Sequence, residues 1–144
     1  MGINITQREY RDSCKNHFLA YSKLSEDEKY QKSGRLLLFY AVECGLKYLI
    51  MKNEELADYN ALQKYAANIR RKEISGHNIK AMLIHRNLDR DYILKDIKLA
   101  KGGKASSDEL NQVWRYGAVV SEEEEENKNE KTLRRIMEYL LKRI

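Results

Sequence analysis

The chain has 144 residues, enough for one domain with its own hydrophobic core but short for two. It has no proline and only 7 glycines, so little of it must be turn, and its abundant Ala, Leu, Lys and Glu favour helix. The net charge of +5 permits nucleic-acid binding, but it is equally consistent with a charged, solvated surface on a protein that binds none.

The apolar residues exclude a membrane-spanning segment and indicate a reducing compartment. The longest uninterrupted apolar run, Leu36 to Val42, is far too short to cross a bilayer, and no charged-then-apolar leader opens the chain. Cys14 and Cys44 each fall on an apolar helical stripe, as expected for buried thiols, and a disulfide between them is the alternative. We therefore expect a cytoplasmic protein that does not bind membranes.

Four capping boxes, in which Ser or Thr precedes Glu by three residues, predict where helices start. Thr6–Glu9 predicts a first helix that ends near Lys23, and Ser25–Glu28 predicts the start of a long second helix. Ser106–Glu109 and Ser121–Glu124 predict two helices near the carboxyl end.

The second helix, predicted from Glu28 to Lys52, is apolar around most of its circumference, so other helices must surround it. Gly34 and Gly45 lie inside it, and glycines at such positions usually mark the close approach of a neighbouring backbone. Its apolar stripe consists of Leu37, Ala41, Cys44, Tyr48 and Met51.

The middle of the chain is less regular. A third helix is predicted near Glu54 to Lys72, and a turn at 75–78 leads into a short fourth helix. The sequence pattern of residues 87–104 is consistent with either a helix or an extended segment. Gly117 is placed to end the helix that follows the box at Ser106.

The final helix begins with the acidic run 122–126 and becomes basic towards its end, a gradient that follows the helix dipole. Its stripe should cover the second helix or a second subunit. No segment is clearly a strand, so the sequence predicts one all-α domain, residues 1–144, built as an antiparallel bundle of five or six helices. The stripe consists of Leu133, Ile136, Met137, Leu140, Leu141 and Ile144.

The apolar surface of the second helix is interrupted by three charged residues, Arg35, Glu43 and Lys47. They need partners because an unpaired buried charge is unfavourable. Glu43 and Lys47 are spaced i, i+4 with the acid first, which favours an ion pair along the helix. In the alternative, Lys47 faces a cleft and Glu43 orients it.

Two later segments carry polar chemistry. His77 lies in the turn before the fourth helix, where an imidazole either caps the helix or reaches a pocket. Trp114, Arg115 and Tyr116 lie together before Gly117. Such a cluster either stacks a base and binds phosphate or packs an aromatic ring beneath an arginine.

No metal and no cofactor are predicted. The three histidines and two cysteines show no ligand spacing. The loop Lys101–Lys104 lacks the upstream glycine and the following hydroxyl of a phosphate-binding P-loop. Cys44 with a histidine would make a nucleophile pair, but a cysteine inside an apolar stripe is typical of inert packing.

Taken in order, these motifs resemble the HEPN superfamily, small helical domains named for higher eukaryotes and prokaryotes nucleotide-binding. The similar branch has Glu-x-x-x-Lys, then a His-Asp-Leu-like turn, then Arg-Tyr-Pro. Here these positions are Glu43 and Lys47, then His77-Asn78-Ile79, then Arg115-Tyr116-Gly117. The resemblance covers roughly residues 6 to 144.

The resemblance implies a helical bundle that commonly dimerises and acts in toxin–antitoxin, antiviral or RNA-processing systems. Many members are metal-independent ribonucleases with Arg-x4–6-His near the last helices, and others are non-catalytic binding modules. This chain has no histidine after Arg115. The same spacing occurs in other elements, at Arg11…His17 and at Arg70 or Arg71…His77.

Three hypotheses follow. The first is a binding or regulatory module of a prokaryotic antiviral defence or toxin–antitoxin system, a homodimer that acts through a partner protein encoded in the same system and through RNA or a nucleotide. The second is a metal-independent ribonuclease that uses His77 with Arg115 or Arg71. The third is a scaffold that dimerises through its last helix. The candidate catalytic residues are His77 and Arg115, and the candidate binding residues are Glu43, Lys47, Arg71 and Tyr116.

Overall fold

The computed structural model describes residues 3–144 of the chain. The predicted all-α fold is confirmed, with one short antiparallel hairpin added to it. None of the helices in the described range is both long and apolar enough to cross a membrane. The elements of this range are α1 (Gln7–Leu24), α2 (Gln31–Asn53), α3 (Tyr59–Asn68), α4 (Ile79–His85), β1 (Ile97–Lys98), β2 (Lys104–Ala105), α5 (Leu110–Tyr116) and α6 (Glu123–Leu141).

Helix α1 begins at the predicted capping box. The side chain of Thr6 accepts a hydrogen bond from the backbone N–H of Glu9, and the Glu9 carboxylate accepts one from the Thr6 N–H. The prediction that Ser25 starts the next helix is wrong, because Ser25 is the C-cap of α1. Asp27 instead caps a short 3₁₀ turn, Glu28–Tyr30, which leads into α2.

Helix α2 lies at the centre of the core, and Gly45 is where α1 and α6 both approach it. A Cβ atom at Gly45 would lie 2.8 Å from Cys14 Sγ of α1 and 2.7 Å from Leu140 Cδ1 of α6. The expected close approach is therefore confirmed at Gly45. At Gly34 an added Cβ would make only an ordinary contact, 3.7 Å from Leu24 Cβ.

Helix α6 packs along α2 in the same direction. Arg35 near the start of α2 binds Glu130, and Gly45 further along α2 contacts Leu140. Helix α1 runs antiparallel to both. The apolar stripe of α6 therefore covers α2, and within it Leu140 is fully buried whereas Leu141 is 44% exposed.

Helix α3 is shorter than the predicted span of 54–72. Asp58 caps its start by accepting a hydrogen bond from the backbone N–H of Ala61. Its end is set by Arg70, which adopts a left-handed φ of 58° and lets the N–H of Arg71 bond to the carbonyl of Ala66.

Residues 87–104, which the sequence left undecided, contain a short turn after α4 and most of the β1–β2 hairpin. The box at 106–109 forms and leads through a 3₁₀ turn into α5, and Gly117 ends that helix at φ 68°. The predicted box at Ser121 does not form, since Glu122 is the N-cap of α6 and makes no side-chain capping bond.

Candidate functional site

Glu43 of α2 joins two cationic groups. Glu43 is only 6% exposed. Lys47, one turn later, donates from Nζ to Oε2 at 3.0 Å, and Nδ1 of His77 lies 2.7 Å from Oε1. The predicted i, i+4 ion pair is therefore present, and the same carboxylate also holds a residue 34 positions away.

Lys47 faces the interior rather than an open cleft. It is 3% exposed, and its ammonium lies 5.7 Å from the ring centre of Tyr10 and 5.9 Å from that of Tyr59. A buried ammonium is unfavourable unless it is paired, and Glu43 and the two ring faces provide that pairing. The contacts of Lys47 therefore fix the position of the Glu43 side chain.

His77 extends from the turn before α4 onto α2. The predicted capping role belongs to Asn78, whose side chain accepts a hydrogen bond from the Ala81 N–H at 3.0 Å. The His77 side chain is 60% exposed. An ionised carboxylate only accepts hydrogen bonds, so Nδ1 donates to Glu43 and Nε2 remains available to a ligand.

The two partners shift each other's pKa in the directions expected for an ion pair. The hydrogen bond to Glu43 raises the pKa of His77, against partial burial and the positive charges of Lys47 and Arg115. Burial alone would raise the pKa of Glu43, but the hydrogen bond with His77 and the charge of Lys47 outweigh it and lower that pKa.

These shifts define where the pair stabilises the fold. The ordinary pKa values are 4.5 for Glu43 and 6.5 for His77, and the stabilisation is complete between them. It is lost as pH falls through the lowered pKa of Glu43, and it is also lost as pH rises through the raised pKa of His77.

The Trp-Arg-Tyr cluster divides between the core and the surface. Trp114 is buried and donates from Nε1 to Glu126 at 2.9 Å. Arg115 and Tyr116 are exposed, with the guanidinium 5.4 Å from the ring centre of Tyr116. The positive charge of Arg115 opposes the net rise in the pKa of His77, so Arg115 is one of the charges that act on that imidazole.

Arg71 belongs to a different cluster. Its Nη1 lies 3.4 Å from Nδ1 of His85, and His85 packs edge-on against Tyr65 with ring centres 5.9 Å apart. A 3₁₀ turn, Lys72–Ser75, separates Arg71 from His77 along the chain. The hypothesis that pairs His77 with Arg71 is therefore not favoured, because the side chain of Arg71 is engaged at the end of α4.

Two residues that we did not assign to the site lie beside it. The ring of Tyr40 lies near two histidines, with its centre 6.2 Å from that of His17 and 6.4 Å from that of His77. Burial lowers the pKa of His17, and Glu43 opposes that shift. The available signal was spacing, because His17 follows Tyr10 by seven residues and so shares the face of α1 that packs on α2.

Arg35, the remaining charge of α2, has a structural role. It is 2% exposed, its Nε lies 2.6 Å from Glu130 and its Nη1 lies 3.2 Å from Glu126. Asn127 accepts a further hydrogen bond from Arg35, and Tyr21 donates one to Glu130. The acidic start of α6 therefore neutralises a buried arginine in addition to its effect on the helix dipole.

The two cysteines are free thiols whose pKa values are shifted by burial. Burial raises the pKa of Cys14 and of Cys44 to about 12, so both remain protonated, and both are free. Within the described range, no three His, Cys, Asp or Glu side chains are grouped to hold a metal ion.

Comparison with known proteins adds no relative to this picture. No protein-family model, curated protein sequence or solved structure matches the chain. The likeness to HEPN domains therefore stays a prediction that rests on the motifs of the chain and their order.

Proposed function

We propose that this domain is a HEPN-like binding and regulatory module that holds a phosphate group of RNA or of a nucleotide at His77 and Arg115. The proposal places it in a prokaryotic antiviral defence or toxin–antitoxin system, where it acts with a partner protein. The observation that carries it is the exposed His77, fixed by the buried carboxylate of Glu43 at 2.7 Å.

The electrostatics support anion binding at this point. The raised pKa of His77 keeps a larger fraction of its imidazole charged near neutral pH. Arg115 adds a permanent positive charge that suits a phosphate oxygen. Glu43 is buried, and its two carboxylate oxygens already accept hydrogen bonds from Lys47 and His77. Its negative charge therefore acts on these two cations rather than on a ligand at the surface.

The test is binding of a fluorescein-labelled single-stranded RNA, measured by anisotropy at low salt. We expect Arg115→Gln and His77→Ala to weaken binding severalfold each, and binding to fall as pH rises through the pKa of His77. Arg135→Gln is the matched control, because Arg135 lies over the Tyr92 ring at 5.1 Å, much as Arg115 lies over Tyr116. Equal affinities of the wild type and the Arg115 and His77 variants would refute the proposal.

A second candidate function, metal-independent RNA cleavage, is favoured by the two histidines whose rings pack near that of Tyr40. Their environments shift their pKa values in opposite directions, as an acid–base pair requires. His17 would take the proton of a ribose 2′-hydroxyl, whose oxygen attacks phosphorus. The bond to the 5′ oxygen then breaks, and the His77 imidazolium protonates that leaving oxygen.

This candidate predicts fragments that end in 2′,3′-cyclic phosphate and in 5′-hydroxyl, formed in the presence of EDTA. Cleavage should disappear in both His17→Ala and His77→Ala while RNA binding by His17→Ala persists. Intact RNA after long incubation with the wild-type protein would reject cleavage and leave the binding proposal standing.

Dimerisation through α6 is the third expectation, and it depends on which apolar side chains of α6 are exposed. Leu140 contacts Gly45 inside the fold, so it is not available to a second subunit. Leu141, which is 44% exposed, remains on the outer side of α6. A dimer through α6 predicts that Leu141→Glu halves the mass measured by light scattering, and a monomeric wild type would contradict it.

A further inference from the structure

A cavity of about 240 Å³ lies between the β1–β2 hairpin and α5. We call it the hairpin cavity. Sites for drug-sized ligands usually enclose about 300–1,000 Å³, so this one suits a single planar ring system rather than a larger molecule. Its lining includes Leu99, Lys101, Lys104, Gln112, Val113 and Tyr116.

The walls combine apolar and aromatic surface. Leu99 and Val113 contribute aliphatic side chains, and Tyr116 contributes an aromatic ring that is 73% exposed. An accessible tyrosine beside an apolar cavity provides a surface on which a base stacks. Gln112 adds an exposed amide that can both donate to and accept from a base edge.

The charges around the cavity favour an anionic ligand. Lys101 and Lys104 are exposed, and neither takes part in an ion pair within residues 3–144. The only carboxylate of the lining, Glu109, is engaged by the backbone N–H and the hydroxyl of Ser106 at the start of α5. Two lysines that form no ion pair among the described residues therefore border the hairpin cavity, and the one carboxylate of its lining accepts hydrogen bonds from Ser106.

The hairpin cavity and the proposed phosphate site meet at Tyr116. Tyr116 lines the cavity, and the Arg115 guanidinium lies over the same ring. Arg115 in turn influences the pKa of His77. Three cations therefore lie near the Tyr116 ring, Lys101 and Lys104 in the cavity lining and Arg115 over the ring itself, and each can bind a phosphate next to a stacked base.

We propose that the hairpin cavity is a base-binding subsite for single-stranded RNA, in which one base stacks on Tyr116 between phosphates held by the two hairpin lysines and by Arg115. This inference rests on the proposed function, because it extends the ligand of the His77 site by one nucleotide. It identifies that ligand as a strand rather than as an isolated phosphate.

The experiment compares two fluorescein-labelled oligomers of equal length, a single-stranded RNA and an abasic strand with the same backbone. We expect Tyr116→Ala to weaken RNA binding about tenfold, since stacking on an aromatic ring contributes about that much per base. Its affinity for the abasic strand should equal that of the wild type. Tyr30→Ala is the matched control, because Tyr30 is also exposed and lies beneath a lysine at 5.7 Å.

Variants of the two sites separate the two proposals. The double variant Lys101→Gln, Lys104→Gln should weaken binding of both oligomers, as should Arg115→Gln. If Arg115→Gln weakens RNA binding but Tyr116→Ala does not, the subsite is refuted and the proposed function stands. If neither variant alters binding, both are refuted. Displacement of the RNA by an equal nucleotide concentration of adenosine monophosphate would overturn the assignment to a strand.

Discussion

Gly45 and Gly34 lie in the same helix, and their replacement by alanine should have opposite effects on stability. Alanine is favoured over glycine in a helix interior by about 1 kcal/mol. At Gly34 the added Cβ would be 3.7 Å or more from its neighbours, so that gain should be realised. At Gly45 the Cβ would lie 2.7 Å from Leu140 and 2.8 Å from Cys14, and both neighbours are fully buried.

The magnitude at Gly45 follows from those two contacts. Overpacking of a well-packed core opposes folding by about 1–3 kcal/mol. Two contacts on two different helices place the effect at about 3 kcal/mol, and the helix preference for alanine offsets about 1 kcal/mol of it. We therefore expect Gly45→Ala to lower the free energy of unfolding by about 2 kcal/mol and Gly34→Ala to raise it by up to about 1 kcal/mol.

Urea unfolding followed by circular dichroism measures both variants. With a slope of about 2 kcal/mol per M, the Gly45 variant should unfold about 1 M earlier than the wild type. A second substitution, Leu140→Ala, removes one of the two clashes, so the double variant should lose less stability than the sum of the single variants. If Gly45→Ala were as stable as Gly34→Ala, the three-helix contact described here would be wrong.

Two further predictions concern the charged residues of α2. Arg35→Leu leaves the buried carboxylate of Glu126 without its cationic partner and should lower the free energy of unfolding by about 3–5 kcal/mol. Lys128→Ala, which breaks an exposed pair, should change it by less than about 1 kcal/mol. Similar losses in the two variants would contradict the buried network. Glu43→Gln removes the charge that favours imidazolium and should move the pKa of His77 down towards or below 6.5. An NMR titration of the His77 ring protons measures that pKa, and an unchanged value would mean that Glu43 does not control it.

Local chemistry explains which parts of the fold could be predicted. The start of α1 and the end of α5 depend on nearby residues, at Thr6 and Gly117, and both predictions are confirmed. Ser25 and Ser121 carry the same capping pattern without using it. There the nearby residues Asp27 and Glu122 take the N-cap positions, which the capping pattern alone does not predict.

The candidate site was predictable to the extent that its contacts are local. The Glu43–Lys47 pair follows from i, i+4 spacing. No periodicity connects Glu43 with His77, and only the order of motifs in a HEPN-like pattern placed them in one site. The position of His17 beside Tyr40 depends on the pairing of α1 with α2, which spacing on α1 alone does not determine.

The central claim, that His77 contacts a phosphate group while Glu43 orients it, is tested most directly by the pKa of His77 with and without RNA. NMR titration of the ring protons should show a raised pKa in the free protein and a further rise with saturating single-stranded RNA, because a bound phosphate favours the charged imidazole. An unchanged pKa at saturation, with RNA bound elsewhere on the molecule, would contradict the account.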